Sequence, residues 1–365
     1  MHYLNELKNF VNLHSSAQQL NPRKIKKILK SISTIDNGLP DNWSQVWSNH
    51  AQLMEERGKW AEACKLYNLA RFPFIETAVQ QDAHEACIKN FKLAMKASSI
   101  EFETLNLMNG EYKAYATGLD RGWPLLIVCG GIISIKEQWQ RFMHLSAKLE
   151  LAIAITEMPG VGENKQVYQA GPCTLFSTII NALSGRAKIE ETHLMALSFS
   201  GHLAIINALN DPRIIGITTI GAPVEDFFSN FDKSKIPLVT QKTLAHIMQH
   251  SIEQLDIQMQ AFGLVSQKVS LLNIPIHYLQ SSFDEIISKR EIPILRSMAP
   301  HLEVLEIADV HGSPNNIGLV SLWALSSILS SYPSKRKQNI ILSNLLGMKM
   351  LWIKLKNKIS FKYDS

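Results

Sequence analysis

The stretch His193-Leu-Met-Ala-Leu-Ser198-Phe-Ser-Gly-His-Leu-Ala204 decides how the rest of the chain is interpreted. An apolar run leads to Ser198, a turn of small residues follows, and the sequence continues with the composition of a helix. This order is typical of a nucleophile elbow, whose usual form is G-x-S-x-G. Ala196 and Ser200 replace the two glycines and are still small enough for a strand and a helix whose backbones nearly touch. The alternative is an ordinary strand-to-helix turn in which Ser198 caps the helix.

The elbow interpretation gives each residue of this turn a role. Ser198 would adopt a strained conformation that raises its hydroxyl above the sheet. The N–H of Phe199 would face the same space and could bind an oxyanion. Ser200 and His202, on the same turn, are candidate substrate contacts.

Short apolar runs alternate with helical stretches after residue 100 and predict the sheet. The alternating segments Phe102–Leu107 and Tyr112–Thr117 predict a β-hairpin around Asn109-Gly110. Six further runs are interpreted as buried strands, at residues 125–129, 151–155, 193–197, 214–220, 276–279 and 302–307. Strands that alternate with helices predict a mostly parallel sheet with helices on both faces. Ligand sites in such sheets lie beyond the carboxyl ends of the strands.

The first buried strand ends at a pair of glycines, and the second ends at an acid. After the first buried strand comes Cys129-Gly130-Gly131-Ile132, and paired glycines let a backbone approach a substrate closely. We predict that Gly131 and Ile132 complete the oxyanion hole and that Gly130 contacts the substrate, although a simple tight turn is the alternative. Glu157, at the end of the second strand, is assigned a structural role.

The last two strands end at an acid and at a histidine. Asp284 lies just past the fifth strand, where it could orient a histidine, or cap the helix that follows. Glu285 and Asp226 are rival acids. His311 stands in a glycine–proline loop after the sixth strand, so the chain order is Ser…Asp…His. We predict that His311 is a general base for Ser198 and that Asp284 orients it.

Composition indicates a globular protein of two or three domains. The chain has 365 residues, of which 46% are hydrophobic and 19% charged. No run is apolar for the length of a membrane span, and the first residues lack a signal-peptide core. The cysteines show neither paired nor metal-type spacing and predict free thiols; they are Cys64, Cys87, Cys129 and Cys173. We expect a cytoplasmic protein without metal or other cofactor.

The net charge of +5 is unevenly distributed. Residues 334–365 hold eight Lys or Arg and one Asp, so this tail carries +7 and the other 333 residues carry −2. The body therefore lacks the basic surface of a nucleic-acid-binding protein. The basic, amphipathic tail could contact an anionic membrane or an acidic carrier protein, but a solvated terminal extension is slightly favoured.

Residues 1–100 are predicted to form a helical N-terminal cap. Apolar side chains recur at steps of three and four between Trp60 and Ala70 and again between Ala83 and Ala94. These stripes need a partner surface, so we expect the helices to roof the predicted site. Residues 101–333 would form the main α/β domain, with a helix-rich lid insertion at about 226–272.

Four stretches of the sequence resemble the FrsA-like branch of the α/β-hydrolase superfamily. They are Trp60…Tyr67…Ala70, Pro124-Leu-Leu-Ile-Val-Cys-Gly-Gly131, Met158-Pro-Gly160 with Gly162, and the elbow followed by Pro212-Arg213 and Gly221-Ala-Pro223. The resemblance covers about residues 40–330. The chain departs from the family at the two elbow glycines and at Glu157, where Asp is usual, but neither change removes a catalytic group.

The resemblance implies an α/β-hydrolase fold and a serine hydrolase. Relatives of this kind include esterases, a pseudooxynicotine C–C hydrolase and fungal polyketide-shortening hydrolases. They imply cleavage of an ester, a thioester or a carbon–carbon bond next to a ketone, in a small-molecule or carrier-bound acyl substrate. Acyl transfer or cyclisation by the same residues is one alternative, and a non-catalytic regulatory protein on the same fold is another. A homodimer is compatible with the sequence.

Overall fold

The computed structural model describes residues 2–36, 38–264 and 272–363, without the side chains of His14 and of residues 352–363. This part of the chain contains one eight-stranded sheet, formed by β1 (Glu103–Leu107), β2 (Tyr112–Thr117), β3 (Pro124–Cys129), β4 (Ala152–Thr156), β5 (Lys188–Ala196), β6 (Ile214–Ile220), β7 (Ile276–Ser281) and β8 (Leu302–Ile307). The strand order is β1-β2-β4-β3-β5-β6-β7-β8. The pairs β1–β2 and β2–β4 are antiparallel, and all other neighbours are parallel. The mostly parallel sheet predicted from the apolar runs is confirmed.

Helices cover the sheet between and after its strands. They are α6 (Gln140–Met143), α7 (Ser146–Leu149), α8 (Leu175–Ala182), α9 (Phe199–Asn210), α13 (Glu291–Met298) and α14 (Ile317–Ser330). Every residue of β3 and β4 is buried, which requires cover on both faces of the sheet. These uninterrupted apolar strands explain why the centre of the sheet could be recognised in the sequence.

Five helices precede the sheet. They are α1 (His2–His14), α2 (Pro22–Lys30), α3 (Trp43–Glu56), α4 (Trp60–Ala70) and α5 (Ala78–Ala97). The sequence predicted a pair, which corresponds to α4 and α5; it placed α1, α2 and α3 in the helical cap without distinguishing them as separate helices. Phe91 of α5 stacks on Tyr115 of β2 with the ring centroids 4.9 Å apart. The helical segment therefore shares its core with the sheet.

The predicted insertion begins with three short helices, α10 (Asp226–Ser229), α11 (Leu238–Met248) and α12 (Leu255–Gln258). Its residues 265–271 lie outside the described part of the chain. Helix α11 packs against α1, and the Glu6 carboxylate accepts a hydrogen bond of 2.5 Å from the backbone N–H of Val239. The N-terminal helices and the insertion thus form one continuous cover.

The basic tail forms α15 (Arg336–Tyr363), which packs along α14. The Ser326 hydroxyl on α14 donates to the side-chain oxygen of Asn339 over 2.9 Å. None of the helices in the described residues is long and apolar enough to cross a membrane. Cys64, Cys87 and Cys129 are buried and, like Cys173, unpaired, as their spacing predicts.

We predict that a chain shortened to begin at Glu101 does not fold to a soluble, native-like state. Removing the five helices exposes Tyr115 and its neighbours on β2, and it deletes the α1 contact with α11. Soluble yield and cooperative thermal unfolding, measured beside the full chain, test this. A soluble fragment that melts cooperatively near the temperature of the full chain would show that the helices are a separable unit.

Candidate functional site

The backbone at Ser198 adopts a conformation that few residues other than glycine tolerate. Its φ is 57° and its ψ is −130°, between the end of β5 and the start of α9. Such a conformation costs about 1–3 kcal/mol and persists only where the surroundings hold it. The Ser198 N–H donates to the carbonyl of Ile220 over 2.9 Å, and its carbonyl accepts from the N–H of Gly201 over 2.8 Å. Strand β6 and the first turn of α9 therefore hold the strained residue from both sides.

In this turn the position that has no room for a side chain is Gly201 and not Ser200. A Cβ at Gly201 would lie 2.2 Å from Oγ1 of Thr219 and 2.6 Å from Cβ of Ala222. The buried Ser200 hydroxyl donates to the carbonyls of Leu197 and Cys129 over 3.0 and 3.1 Å. The chain therefore tolerates a serine where the usual motif has glycine, because the tight contact lies one residue further along.

Ser198, His311 and Asp284 meet above the carboxyl ends of β5, β8 and β7. The Oγ of Ser198 lies 2.9 Å from Nε2 of His311, and Nδ1 of His311 lies 2.9 Å from both carboxylate oxygens of Asp284. The backbone N–H groups of Ile286 and Ile287 donate to the same carboxylate over 3.0 and 2.8 Å. A proton on Nδ1 faces the carboxylate, which leaves Nε2 to accept from the serine hydroxyl.

The two rival acids have other partners. A carboxylate oxygen of Glu285 accepts from the backbone N–H of His311 over 3.0 Å, so Glu285 fixes the loop and not the imidazole. Asp226 accepts from Nε of Arg290 over 3.1 Å and from the amide of Asn230 over 3.0 Å. Of the three acids considered from the sequence, Asp284 is the one that contacts the ring.

Two residues that the sequence did not single out position the histidine. The Asp309 carboxylate accepts from the backbone and the side chain of Asn315 and from the side chain of Asn316, over 2.8–3.0 Å. These three hydrogen bonds hold the loop that carries His311. Gly221, with φ at +57°, follows β6, and a Cβ there would lie 2.9 Å from Cε1 of His311. The run Gly-Ala-Pro after a strand was the available sequence signal for this second residue.

The pKa of His311 is raised above its ordinary value of 6.5. Burial alone would lower it, but the negative charge of Asp284, its hydrogen bond to the ring and the charge of Glu285 outweigh burial. The surroundings thus favour the imidazolium form. A proton taken up at Nε2 would be stabilised in place.

Ser198 and His311 line a cavity of about 420 Å³. Its walls are mainly apolar and come from the N-terminal helices, the insertion and the main domain, through residues such as Phe10, Leu69, Phe72, Ile132, Phe142, Val239 and Val320. This volume is in the range of small-molecule sites. The two segments that were expected to roof the site both contribute to its walls.

The predicted oxyanion residues lie beside Ser198. A Cβ at Gly131 would be 3.1 Å from Cβ of Ser198, and Gly131, Ile132 and Phe199 all line the cavity. Phe199 is the first residue of α9, so its N–H has no acceptor within the helix. The positive end of the helix dipole lies at the same place.

The three residues predicted as substrate contacts do not line the cavity, and each has other contacts. Gly130 is required by packing, since a Cβ there would be 2.2 Å from Cβ of Ser134. Ser200 is turned toward backbone carbonyls, as described above. His202 is buried, its Nε2 lies 2.9 Å from the carbonyl of Phe262, and burial lowers its pKa to about 4. None of the three is a lining residue of the cavity.

Glu157 lies outside the cavity and inside a charged cluster. Its carboxylate accepts from the backbone N–H and the Nζ of Lys136 over 3.0 and 2.9 Å. Lys136 also pairs with Glu163 over 2.7 Å and with Glu137 over 3.3 Å. The structural role expected for Glu157 agrees with these bonds. In the described part of the chain no group of three or more His, Cys, Asp or Glu could hold a metal ion.

Two arginines of the cavity wall were missed in the sequence. Arg71, at the end of α4, is buried, and Arg141, in α6, is partly buried. Nothing in the local sequence marks either side chain, because a helical arginine is ordinarily solvated. Only the tertiary packing turns them toward a cavity.

The comparisons with known sequences point to one family. A family model described as "Esterase FrsA-like" matches residues 41–280. Esterase FrsA of Photorhabdus laumondii is 24% identical over 255 residues, which cover 60% of this chain and 61% of that protein. Esterase FrsA of Vibrio vulnificus is 24% identical over 255 residues, covering 62% and 60%. The chain thus spans about 60% of the length of these curated relatives.

Two solved structures are similar over more of the chain. "AbyA5 Wildtype" is 33% identical, has a TM-score of 0.89, and the match covers 94% of this chain and 99% of that one. A 2,6-dihydroxy-pseudo-oxynicotine hydrolase is 16% identical, with a TM-score of 0.67 and coverage of 83% and 95%. At that identity the second likeness shows a shared fold alone.

We predict that Asp284→Asn lowers the pKa of His311 below 6.5, because the carboxylate is the largest influence that raises it. Glu285→Gln should lower this pKa less, since Glu285 contacts the backbone and not the ring. NMR titration of the His311 ring protons measures both shifts. Asp226→Asn is the control and should leave the titration unchanged; an unaltered pKa in Asp284→Asn would contradict the assigned contact.

Proposed function

Because the chain belongs to the FrsA-like family of the α/β-hydrolase superfamily, we propose that it is a serine hydrolase that cleaves an acyl-type bond. The family resemblance and the α/β-hydrolase fold expected from the sequence are confirmed. The observation that carries the proposal is the line of 2.9 Å contacts from Asp284 through His311 to Ser198 at the wall of an apolar cavity.

The first step needs a deprotonated serine. A free hydroxyl is a poor nucleophile, and Nε2 of His311 is within hydrogen-bond distance to take its proton as Oγ attacks the carbonyl carbon. Asp284 holds the ring with its proton on Nδ1 and stabilises the imidazolium that forms. The raised pKa of His311 fits this step, because it reports surroundings that favour the charged ring.

The negative oxygen that forms on the carbonyl needs hydrogen-bond donors. We assign this role to the N–H of Phe199 and to the N–H groups of the loop at Gly131 and Ile132, which lies against Ser198. Each such donor is worth about 10²–10³ in turnover. The N-terminus of α9 adds a favourable field for the oxyanion.

Collapse of the intermediate expels the leaving group, which takes its proton from His311, and leaves an acyl group on Ser198. Water activated by the same histidine then releases the acid. An ester, a thioester or a ketone-adjacent carbon–carbon bond passes through this sequence, and the name of the curated relatives favours an ester. Acyl transfer to another nucleophile, or cyclisation, would use the same steps with that nucleophile in place of water.

We predict that Ser198→Ala abolishes labelling by a fluorophosphonate probe while leaving the thermal unfolding temperature within a few degrees. We expect this because, in the described part of the chain, the Ser198 hydroxyl is the one that bonds to Nε2 of His311. Ser200→Ala is the matched control. It loses two bonds to backbone carbonyls, about 1 kcal/mol of stability, and should keep its labelling.

Intact-protein mass spectrometry followed by peptide mapping locates the adduct. An adduct on Ser198 excludes the non-catalytic alternative. Undiminished labelling of Ser198→Ala, or an adduct mapped to Ser200, would refute the nucleophile assignment. Products formed from 4-nitrophenyl esters with and without added alcohol then separate hydrolysis from acyl transfer.

We predict that His311→Ala slows ester hydrolysis nearly as much as Ser198→Ala, and that the double variant loses little more. Groups that act as one unit lose function non-additively. Asp284→Asn should be severe because the ring would present the wrong tautomer. Asp226→Asn and Glu285→Gln should be milder, by at least tenfold, because neither carboxylate contacts the ring. If the fold-loss of rate in the double variant equals the product of the losses in the two single variants, the residues act separately.

A further inference from the structure

The cavity beside Ser198 carries positive charge without negative charge. Among its lining residues, all of them in the described part of the chain, Arg71 and Arg141 are permanently charged, and none is Asp or Glu. The rest of the wall is largely apolar. A charge in such surroundings is costly unless an opposite charge or strong hydrogen bonds accompany it. The two arginines therefore have no negative charge beside them in the wall, and a negatively charged ligand could supply one.

Arg71 is fixed by neutral groups. Its Nε and Nη2 donate to the side-chain oxygen of Asn68 over 2.9 and 2.7 Å, Nη1 donates to the carbonyl of Pro73 over 2.9 Å, and Nη2 also donates to the carbonyl of Ile133. These bonds satisfy most of its donors and leave its charge unneutralised. Arg71 thus ties the end of α4 to the loop after β3 and adds a positive field to the cavity.

The carboxylates that influence Arg71 belong to another ion-pair cluster. Burial lowers the pKa of Arg71 to about 10, and the charges of Glu157 and Glu137 partly oppose this. Both glutamates pair with Lys136, with Nζ to oxygen distances of 2.9 and 3.3 Å. They are therefore already engaged and lie outside the cavity wall.

Arg141 has donors to spare. Its guanidinium lies 5.4 Å from the ring centroid of Phe142, and among the described residues it makes no ion pair and no hydrogen bond to a side chain. Burial lowers its pKa. The pKa of the Lys65 ammonium is lowered by burial; Cys64 and the charge of Glu62 act to raise it, and the charge of Arg141 adds a smaller lowering influence. Arg141 therefore keeps guanidinium donors available for a ligand in the cavity.

We propose that the substrate is anionic and that Arg141 binds its charged group, with Arg71 contributing to the same positive field. The inference rests on the proposed function, because that identifies the cavity as the substrate site. A guanidinium presents a planar fork of donors that matches a carboxylate or a phosphate. The apolar walls then hold the body of the acyl chain while the charged end sets its orientation relative to Ser198.

The test is equilibrium binding of three probes of equal chain length to the full chain by calorimetry at pH 7.5: octanoate, octyl phosphate and octanamide. Both anions share their apolar part with the neutral amide, so the ratio of dissociation constants isolates the charge. We expect at least one anion to bind tenfold or more tightly than octanamide. Tighter binding of octanoate assigns a carboxylate, and tighter binding of octyl phosphate assigns a phosphate.

Arg141→Gln should reduce the preferred anion's advantage to threefold or less. Arg121→Gln is the matched control, because Arg121 also lies over an aromatic ring, 5.2 Å from that of Trp123, but is not part of the cavity wall. It should retain the full ratio. Equal binding of all three probes, no binding at millimolar concentration, or a ratio unaffected by Arg141→Gln would overturn the inference.

Fluorophosphonate labelling keeps this inference separate from the proposed function. A protein that labels at Ser198 but binds the three probes alike is a hydrolase of neutral substrates. A protein that prefers an anion through Arg141 but never labels at Ser198 has the anion site without the proposed chemistry. The two results identify which of the two ideas has failed.

Discussion

The site depends on one strained backbone conformation, that of Ser198 with φ at 57° and ψ at −130°. This conformation points the hydroxyl away from the sheet and places it within 2.9 Å of His311. It persists because β6 accepts the Ser198 N–H and α9 returns a hydrogen bond to its carbonyl. The absence of a side chain at Gly201 lets α9 pack so closely against Thr219 and Ala222. Strain at the serine is therefore offset by packing around it.

The other two groups of the proposed triad are held by contacts outside the cavity. Backbone N–H groups fix the Asp284 carboxylate, Glu285 binds the backbone of His311, and Asp309 organises the loop that carries it. The imidazole is thus bounded by groups that favour its charged form over the neutral form. A base oriented this way loses little entropy when it takes a proton, which is the main physical support for a catalytic role.

The N-terminal helices are part of the site and not an appendage to it. Arg71, at the end of α4, donates to the carbonyl of Ile133 in the loop that also carries Gly131 and Ile132. Glu6 of α1 bonds to the backbone of Val239 in the insertion, and residues from both segments line the cavity. The segments that roof the cavity are thus bonded to the loop to which we assign the oxyanion donors.

What the sequence determined by itself is the sheet and the order of its chemical groups. The central strands β3 and β4 could be recognised because nearly all of their residues are apolar, and Ser198, Asp284 and His311 because each lies in the turn or loop after a strand. Only the tertiary structure decided which acid contacts His311, since Asp226, Asp284 and Glu285 all lie near strand or turn ends and differ in partner alone. It likewise bonded Ser200 and His202 to backbone carbonyls and brought Arg71 and Arg141 to the cavity wall. The physical reason is that the direction of a side chain depends on the elements packed against its own, which lie far away in the sequence.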